Sequence, residues 1–118
     1  MSSSKIISKP WGYEEILYEN SDVIVLRLFI KKGEETSLHK HLEKDEYFIV
    51  LKGKGHLLCG RRKMPIRRGK IIRVKRGAEH QWVADEDLVM IEVTTPPLND
   101  LFRIKDRYGR VKNGGINV

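Results

Sequence analysis

The fold of this chain is decided by one stretch, Gly33-Glu34-Glu35-Thr36-Ser37-Leu38-His39-Lys40-His41-Leu42-Glu43-Lys44-Asp45-Glu46. Its two histidines lie two residues apart, so in a β-strand both would point to the same face. Glu46 begins the apolar run that follows, and a third histidine begins a later run. Three imidazoles and one carboxylate are typical of a divalent transition-metal site that keeps positions open for water or substrate. We therefore predict a site for Zn, Mn, Fe, Ni or Co formed by His39, His41, Glu46 and His80.

Each of these residues taken alone also has a simpler interpretation. His39 and His41 would be polar residues of a surface turn, and His80 would be a satisfied core or edge histidine. Histidine is rare in this chain, however, with four in all, and three of them fall where predicted strands start. That coincidence favours the metal site. His56 has no partner in the pattern and is interpreted as structural.

Glycines divide the chain into short segments rich in β-branched and aromatic residues, which are typical of strands. We predict strands at Tyr13–Tyr18, Val23–Lys31, Glu46–Leu51, His56–Cys59, Lys70–Val74, His80–Val83 and Leu88–Thr94. Their spacing is typical of an all-β sandwich or barrel. The one helical candidate is short, at most two turns, from Leu98 to Lys105.

Length and composition predict one domain. The chain has 118 residues, of which 40% are hydrophobic, enough for a single core. We place the core at about residues 10–97 and a tail at 98–118, in which Asp106–Arg110 docks. No apolar run approaches the roughly 18 residues of a membrane span. The absence of a signal-peptide pattern and the single Cys59 predict a cytoplasmic protein.

The charge of the chain is +7, from 23 Lys and Arg against 16 Asp and Glu. The basic residues are scattered in pairs beside glycines and strands rather than forming a stripe or an aromatic-lined groove. Nucleic acid is therefore not expected as the partner. We expect instead a small anionic substrate, which the net positive charge would attract.

Two spacings resemble the motifs of the cupin superfamily. The first motif is matched without a gap by Gly33-x5-His39-x-His41-x4-Glu46-x6-Gly53. The second is matched in part by Gly69-x5-Lys75-x-Gly77-x2-His80-x3-Ala84, with Lys75 where proline is usual and Ala84 where asparagine is usual. The resemblance implies a double-stranded β-helix, the cupin jelly-roll barrel, in a single domain.

A narrower resemblance covers most of the chain. It rests on Lys9-Pro10-Trp11-Gly12-Tyr13-Glu14 and on Asn99-Asp100-Leu101-Phe102-Arg103-Ile104-Lys105-Asp106-Arg107-Tyr108-Gly109-Arg110. These segments are similar to the C-terminal cupin domain of type II mannose-6-phosphate isomerases, which is often fused to mannose-1-phosphate guanylyltransferase. The resemblance implies a metal-dependent isomerase that converts mannose 6-phosphate to fructose 6-phosphate in sugar or polysaccharide precursor metabolism.

This chain departs from those enzymes in two ways. The bifunctional enzymes typically carry glutamine where this chain has His39, so its predicted metal shell is closer to that of cupins at large. The sequence also has no glycine-rich nucleotide loop. Nucleotidyl transfer is therefore not expected of this polypeptide.

A sugar-phosphate isomerase needs a clamp for the phosphate, and arginine suits the bidentate contact. Arg27 is one candidate because it interrupts an apolar strand, although an outward or edge position explains it equally well. For Arg107 and Arg110 the family resemblance implies a role near the substrate. Lys44 is interpreted as a solvated turn residue.

The general base should not be a metal ligand, because coordination lowers its basicity. The sequence does not identify this base, and the candidates are Glu14, Glu35 and Glu79.

Two strands carry further predictions. Trp82 shares a face with His80, where it is expected to fill the barrel. In the strand from Glu46, both faces are apolar, and one of them consists of Tyr47, Ile49 and Leu51. A second sheet or a partner subunit is expected to cover that face, with a homodimer as the natural candidate.

Two other functions stay open at this point. Three histidines and one glutamate also suit the iron and oxygen chemistry of a metal-dependent dioxygenase. Alternatively, the chain is a non-catalytic module that senses or carries a sugar or nucleotide-sugar, which would fit the lack of an identified general base.

Overall fold

A computed structural model describes residues 5–111 of the chain, and every regular element in that range is a β-strand. The all-β prediction is confirmed. The strands are β1 (Lys5–Lys9), β2 (Gly12–Glu19), β3 (Ile24–Ile30), β4 (Leu38–Lys40), β5 (Glu46–Lys52), β6 (Lys54–Cys59), β7 (Arg62–Arg67), β8 (Ile71–Val74), β9 (His80–Ala84), β10 (Leu88–Thr94) and β11 (Phe102–Lys105). No helix that could cross a membrane occurs among these residues.

The strands form two sheets with antiparallel pairing. One sheet has six strands in the order β1-β2-β3-β10-β5-β8, and the other has five in the order β11-β4-β9-β6-β7. Both β3 and β10 bury every second residue, as expected for strands with one face on the core. Phe48 from the first sheet and Trp82 from the second meet with ring centroids 4.5 Å apart. The core therefore lies between the sheets, and Trp82 fills the barrel as predicted.

All seven predicted strands are present, and four further strands were missed. Of these, β4 has only three residues, too few to show a period. β7 contains Pro65 among basic residues, a composition that argues against a central strand. The sheet order places β7 at an edge, where a proline is tolerated.

The predicted helix from Leu98 to Lys105 is wrong. Residues 102–105 form β11, which pairs with β4 and sets Phe102 opposite Lys40 and Arg103 opposite His39. A helix of two turns is marginal in water, whereas pairing with an existing strand satisfies the backbone groups immediately. Tertiary pairing thus overrides a weak local preference.

The prediction that β5 is buried on both sides is also wrong for the chain by itself. Tyr47, Ile49 and Leu51 are 47%, 38% and 44% exposed. Their strand lies between β10 and β8, and the described residues put no second layer over its outer face. That a partner subunit covers this face stays a prediction.

The chain after β11 docks on the loop before β4, as expected for Asp106–Arg110. Arg107 Nη1 donates to the carbonyl of Gly33 at 2.8 Å. The Tyr108 hydroxyl donates to the Glu34 carboxylate at 2.7 Å and accepts from the Glu35 amide at 3.2 Å. The rest of the predicted tail, residues 112–118, lies outside the described residues.

Asp100 ties the segment before β11 to the loop between β4 and β5. Its carboxylate accepts hydrogen bonds from the amides of Leu42, Glu43 and Lys44 at 3.1, 2.7 and 3.0 Å. Burial raises the pKa of this carboxyl, but the three amide donors outweigh burial and hold the pKa below its usual range. The loop therefore depends on an ionised Asp100.

Substitution of Gly53 tests the close approach at the turn between β5 and β6. Gly53 has a φ of +90°, and a Cβ there would lie 2.0 Å from the carbonyl oxygen of Asp87. Gly69 has nearly the same φ, +92°, with nothing within 4 Å of a Cβ. We expect Gly69→Ala to lower the free energy of unfolding by about 1 kcal/mol. Gly53→Ala should lower the free energy of unfolding by a further ~1–3 kcal/mol, because the backbone at Asp87 must move to make room for the new Cβ. Urea denaturation measures both, and equal losses would contradict the clash.

Substitution of Asp100 tests the tie to the loop. We expect Asp100→Asn to lower the free energy of unfolding at neutral pH by about 1–3 kcal/mol, because an amide replaces one accepting oxygen. The folded pKa lies below the unfolded value, so the ionised carboxyl stabilises the fold above about pH 4 and loses this effect as the pH falls through the folded pKa. The difference in the free energy of unfolding between the wild type and Asp100→Asn should therefore become smaller at acidic pH. Asp22→Asn, at an exposed carboxyl, is the control in the same denaturation series.

Candidate metal centre

Three strands bring the four predicted ligands together. β4 carries His39 and places His41 just beyond its end, β9 carries His80 at its start, and β5 carries Glu46 at its start. His39 and His80 are direct partners across β4 and β9. Because β5 belongs to the other sheet, the cluster spans the space between the sheets. One ligand atom from each histidine lies within 4.8 Å of those of the other two. The spacing that singled out these residues thus corresponds to one buried cluster.

The three imidazoles are oriented by backbone carbonyls. Nδ1 of His39 lies 2.7 Å from the carbonyl oxygen of Ser37, and Nδ1 of His80 lies 2.9 Å from that of Ala78. Nδ1 of His41 lies 2.5 Å from the carbonyl oxygen of Asp100. A carbonyl only accepts, so each ring must carry its proton on Nδ1. Nε2 of each ring is then a free lone pair, the arrangement that metal-binding histidines adopt.

Glu46 lies against the free nitrogens. Its Oε1 is 3.1 Å from His41 Nε2 and 3.5 Å from His80 Nε2. None of these three buried atoms has a hydrogen-bond partner among the described residues. Buried polar atoms without partners are costly, and a cation held between them would satisfy all three. The donor set and its orphaned atoms therefore fit a divalent metal.

For His39 and Glu46, burial and neighbouring groups favour the protonation states that a metal needs. Burial lowers the pKa of His39 well below its usual value, and the nearby His80 and His41 lower it further. Burial alone raises the pKa of Glu46, but His41 and His80, which donate to the carboxylate from Nε2 whenever their rings are protonated, outweigh burial, so the pKa lies below its usual range. The site thus offers a neutral imidazole and an ionised carboxylate.

The interpretation of Lys44 as a solvated turn residue is wrong. Its side chain is 4% exposed, and Nζ lies 3.7 Å from Glu46 Oε2. The turn that carries Lys44 is held by the Asp100 carboxylate, which directs the side chain inward. The ammonium therefore balances the second oxygen of Glu46.

Glu92 is a buried acid that the sequence analysis missed. It is 3% exposed, and burial together with the neighbouring Glu46 carboxylate raises its pKa well above the usual value. A signal for it exists in β10, because Glu92 follows Leu88 and Met90 at two-residue intervals. That period points all three side chains inward.

Two adjoining cavities lie beside the cluster. The inner cavity, about 70 Å³, is lined by all four cluster residues, and the outer cavity measures about 410 Å³. A volume of several hundred Å³ is usual for small-molecule sites. Both cavities are lined by Lys9, Glu14, Leu98, Leu101 and Arg103. The larger cavity therefore lies directly beside the one that contains the cluster.

The predicted phosphate-binding arginines do not lie together. Arg27 is on the outward-facing side of β3, since Leu26 and Leu28 point inward, and it pairs with Glu15 at 3.3 Å. Arg107 is half exposed and contacts the loop before β4. Neither residue lines either of these two cavities, whereas Arg110 lines the inner one.

Arg103 was not singled out from the sequence, yet it lines both cavities. It is 8% exposed, and its Nε has no hydrogen-bond partner among residues 5–111. A lone arginine between Phe102 and Ile104 is ordinarily expected to lie in solvent. Only the pairing of β11 with β4, which sets Arg103 opposite His39, turns this side chain to the cavity side.

Of the three candidate general bases, one lines the cavities and two do not. Glu14 lines both cavities and pairs with Lys9 at 3.5 Å. Glu35 binds Gln81 and lies outside both cavities, and Glu79 is exposed. His56, interpreted as lacking a partner, pairs with Asp85 at 2.8 Å and stays apart from the cluster.

Comparisons with known proteins agree with this geometry. A family model of the cupin domain matches residues 26–94. A mannose-1-phosphate guanylyltransferase of Klebsiella pneumoniae is 26% identical over 109 residues, which are 88% of this chain and 23% of that protein. The chain thus spans about a quarter of the length of the curated relatives it matches.

Solved structures share the architecture. KdgF from Halomonas sp. superposes with a TM-score of 0.74 at 19% identity, covering 84% of this chain and 92% of that one. A sugar phosphate isomerase of the cupin superfamily from Silicibacter pomeroyi gives a TM-score of 0.65 at 25% identity, covering 72% and 59%. Since the family model covers more than half of the chain, including β4 to β10 and all four cluster residues, the chain belongs to the cupin family.

Proposed function

We propose that this cupin is a metal-dependent isomerase of sugar phosphates, of the type that interconverts mannose 6-phosphate and fructose 6-phosphate. The observation that carries the proposal is the cluster of three imidazoles, each with Nδ1 held by a carbonyl and Nε2 left free beside Glu46. Similarity to a cupin sugar phosphate isomerase and to mannose-1-phosphate guanylyltransferases supports the choice of substrate class.

His39, His41, Glu46 and His80 would hold the metal. When bound, a divalent ion would supply a Lewis acid that polarises the carbonyl and hydroxyl oxygens of the sugar. The carbonyls of Ser37, Ala78 and Asp100 keep the three rings in their ligating tautomer.

Aldose–ketose isomerisation also needs a base that moves a proton between neighbouring carbons. Glu14 is the cavity carboxylate that suits this role, because it is not a ligand and its side chain is 16% exposed. Glu92 is less suited, because burial and the neighbouring Glu46 carboxylate raise its pKa and favour the protonated acid, which cannot accept a proton. In this proposal the Glu14 carboxylate takes the proton from the hydroxyl-bearing carbon and returns it to the carbonyl carbon, while the hydroxyl proton passes to the former carbonyl oxygen.

Loss of one ligand tests the metal site. We expect purified wild-type protein to hold one metal ion per chain and to lose mannose-6-phosphate turnover after chelation. His80→Ala should abolish stoichiometric metal binding and lower turnover at least ~100-fold. Loss of a group that only orients a metal ligand already costs about 10- to 100-fold in metal affinity or activity, and loss of the ligand itself should cost more. His56→Ala, at a histidine outside the cluster, should keep both. Elemental analysis and a coupled isomerase assay measure these quantities.

Other outcomes of that experiment separate the competing functions. Bound metal without turnover of mannose, glucose or fructose phosphates would contradict the isomerase. Oxygen consumption with an organic substrate would then indicate a dioxygenase, and tight sugar binding without turnover would indicate a binding module.

Substitution of the proposed base tests the proton transfer. Glu14→Gln keeps the size of the side chain and removes its basicity, so kcat should fall about 10²- to 10⁴-fold while metal content stays unchanged. Incorporation of solvent deuterium into the product should fall in parallel. Glu19→Gln, at an exposed carboxylate of the same strand, is the matched control. A Glu14→Gln protein with wild-type kcat would exclude Glu14 as the base.

A further inference from the structure

Arg103 is the one cation lining the cavities that has no anionic partner among the described residues. Lys9 pairs with Glu14 at 3.5 Å, Lys44 with Glu46 at 3.7 Å, and Arg110 with Asp106 at 2.7 Å. No carboxylate of residues 5–111 lies within 4 Å of the Arg103 guanidinium. A guanidinium stays charged inside a protein, so this site contains a buried positive charge without a direct ion pair among these residues.

The neighbours of Arg103 increase the demand for an anion. Burial lowers the pKa of Arg103, and the nearby Arg110 lowers it further, against smaller opposing effects of Asp106 and Glu14. Its Nε is buried and donates to no acceptor within the described range, residues 5–111. Removing a donor from water without a new acceptor costs free energy, which an incoming anion would recover. The guanidinium is thus prepared for a ligand oxygen rather than for a protein group.

The position of Arg103 fixes where that anion would lie. The residue lines both cavities, so it stands where the inner one adjoins the outer one. It is also the β-sheet partner of His39, and paired residues on neighbouring strands have Cβ atoms about 5 Å apart. A bound molecule would therefore place its anionic end at Arg103 and its other end at the cluster.

We propose that Arg103, with Lys9 and Arg110 beside it, forms an anion subsite that binds the phosphate group of the substrate. Arginine offers a planar pair of donors that matches two phosphate oxygens, and such charge-assisted bonds are among the stronger ones. The subsite deepens the proposed isomerase function and rests on it for the identity of the sugar. It replaces Arg27 and Arg107, which lie outside the cavities, as the source of the phosphate contact.

The test is calorimetric titration of the zinc-loaded protein with mannose 6-phosphate, inorganic phosphate and unphosphorylated mannose. We expect Arg103→Gln to weaken the binding of mannose 6-phosphate about ten- to a hundredfold, with metal content unchanged. Arg103→Lys keeps the positive charge but lacks the planar pair of donors. Its affinity for mannose 6-phosphate should lie between those of Arg103→Gln and the wild type. Arg62→Gln removes an exposed arginine of β7 and should bind like the wild type.

A second measurement does not depend on whether the variants fold. In wild-type protein the Nε–Hε resonance of Arg103 should shift on addition of mannose 6-phosphate or inorganic phosphate, and mannose should leave it unchanged. The subsite is overturned if this resonance does not respond to phosphate compounds, or if folded Arg103→Gln keeps wild-type affinity. It is also overturned if Arg62→Gln loses as much affinity as Arg103→Gln, since that would indicate a general effect of net charge.

Failure of the subsite and failure of the isomerase are distinguishable. Binding of phosphate compounds that depends on Arg103, without turnover, would support the subsite and contradict the isomerase. Turnover of mannose 6-phosphate with an unchanged KM in Arg103→Gln would support the isomerase and contradict the subsite.

Discussion

The structure depends on holding three imidazoles and a carboxylate away from water in the space between two sheets. Such groups are stable in a core only if their polar atoms find partners. The backbone carbonyls of Ser37, Ala78 and Asp100 provide partners on the Nδ1 side of the rings. These carbonyls come from the segments just before β4, β9 and β11, so three distant parts of the chain must assemble before the cluster is complete. The barrel around it, with Phe48 and Trp82 in contact, supplies the apolar burial that makes this assembly favourable.

The parts of this site that could be predicted from sequence are those set by local spacing. His39 and His41 share a face because they are two residues apart, and Glu46 follows after a turn of fixed length. The same alternation, applied to β3, would have directed Arg27 outward between Leu26 and Leu28. It would also have directed Glu92 inward behind Leu88 and Met90. These two residues were within reach of sequence reasoning, because their strands are long enough to show a period.

Arg103 and Lys44 were not within reach. The direction of Arg103 depends on the register between β11 and β4, and no pattern in a four-residue strand fixes that register. Lys44 lies in a turn whose path is set by Asp100, a residue 56 positions further along the chain. Charged residues in short or irregular segments are usually solvated, so composition alone favours the wrong interpretation of both. What distinguishes them is the carboxylate or cavity that distant segments bring to them.

The segment from residue 98 to residue 110 therefore joins the fold to the site. It provides the Asp100 carbonyl that orients His41 and places Arg103 beside His39, and through Tyr108 it holds the loop before β4. Its apolar contacts with the core are few, with Leu98 and Tyr108 only partly buried, and most of its attachment is polar. Segments held in this way open at lower free energy than core strands. A ligand that binds both the cluster and Arg103 would hold this segment against the strands that carry the cluster. Ligand binding would therefore also stabilise the segment against local opening.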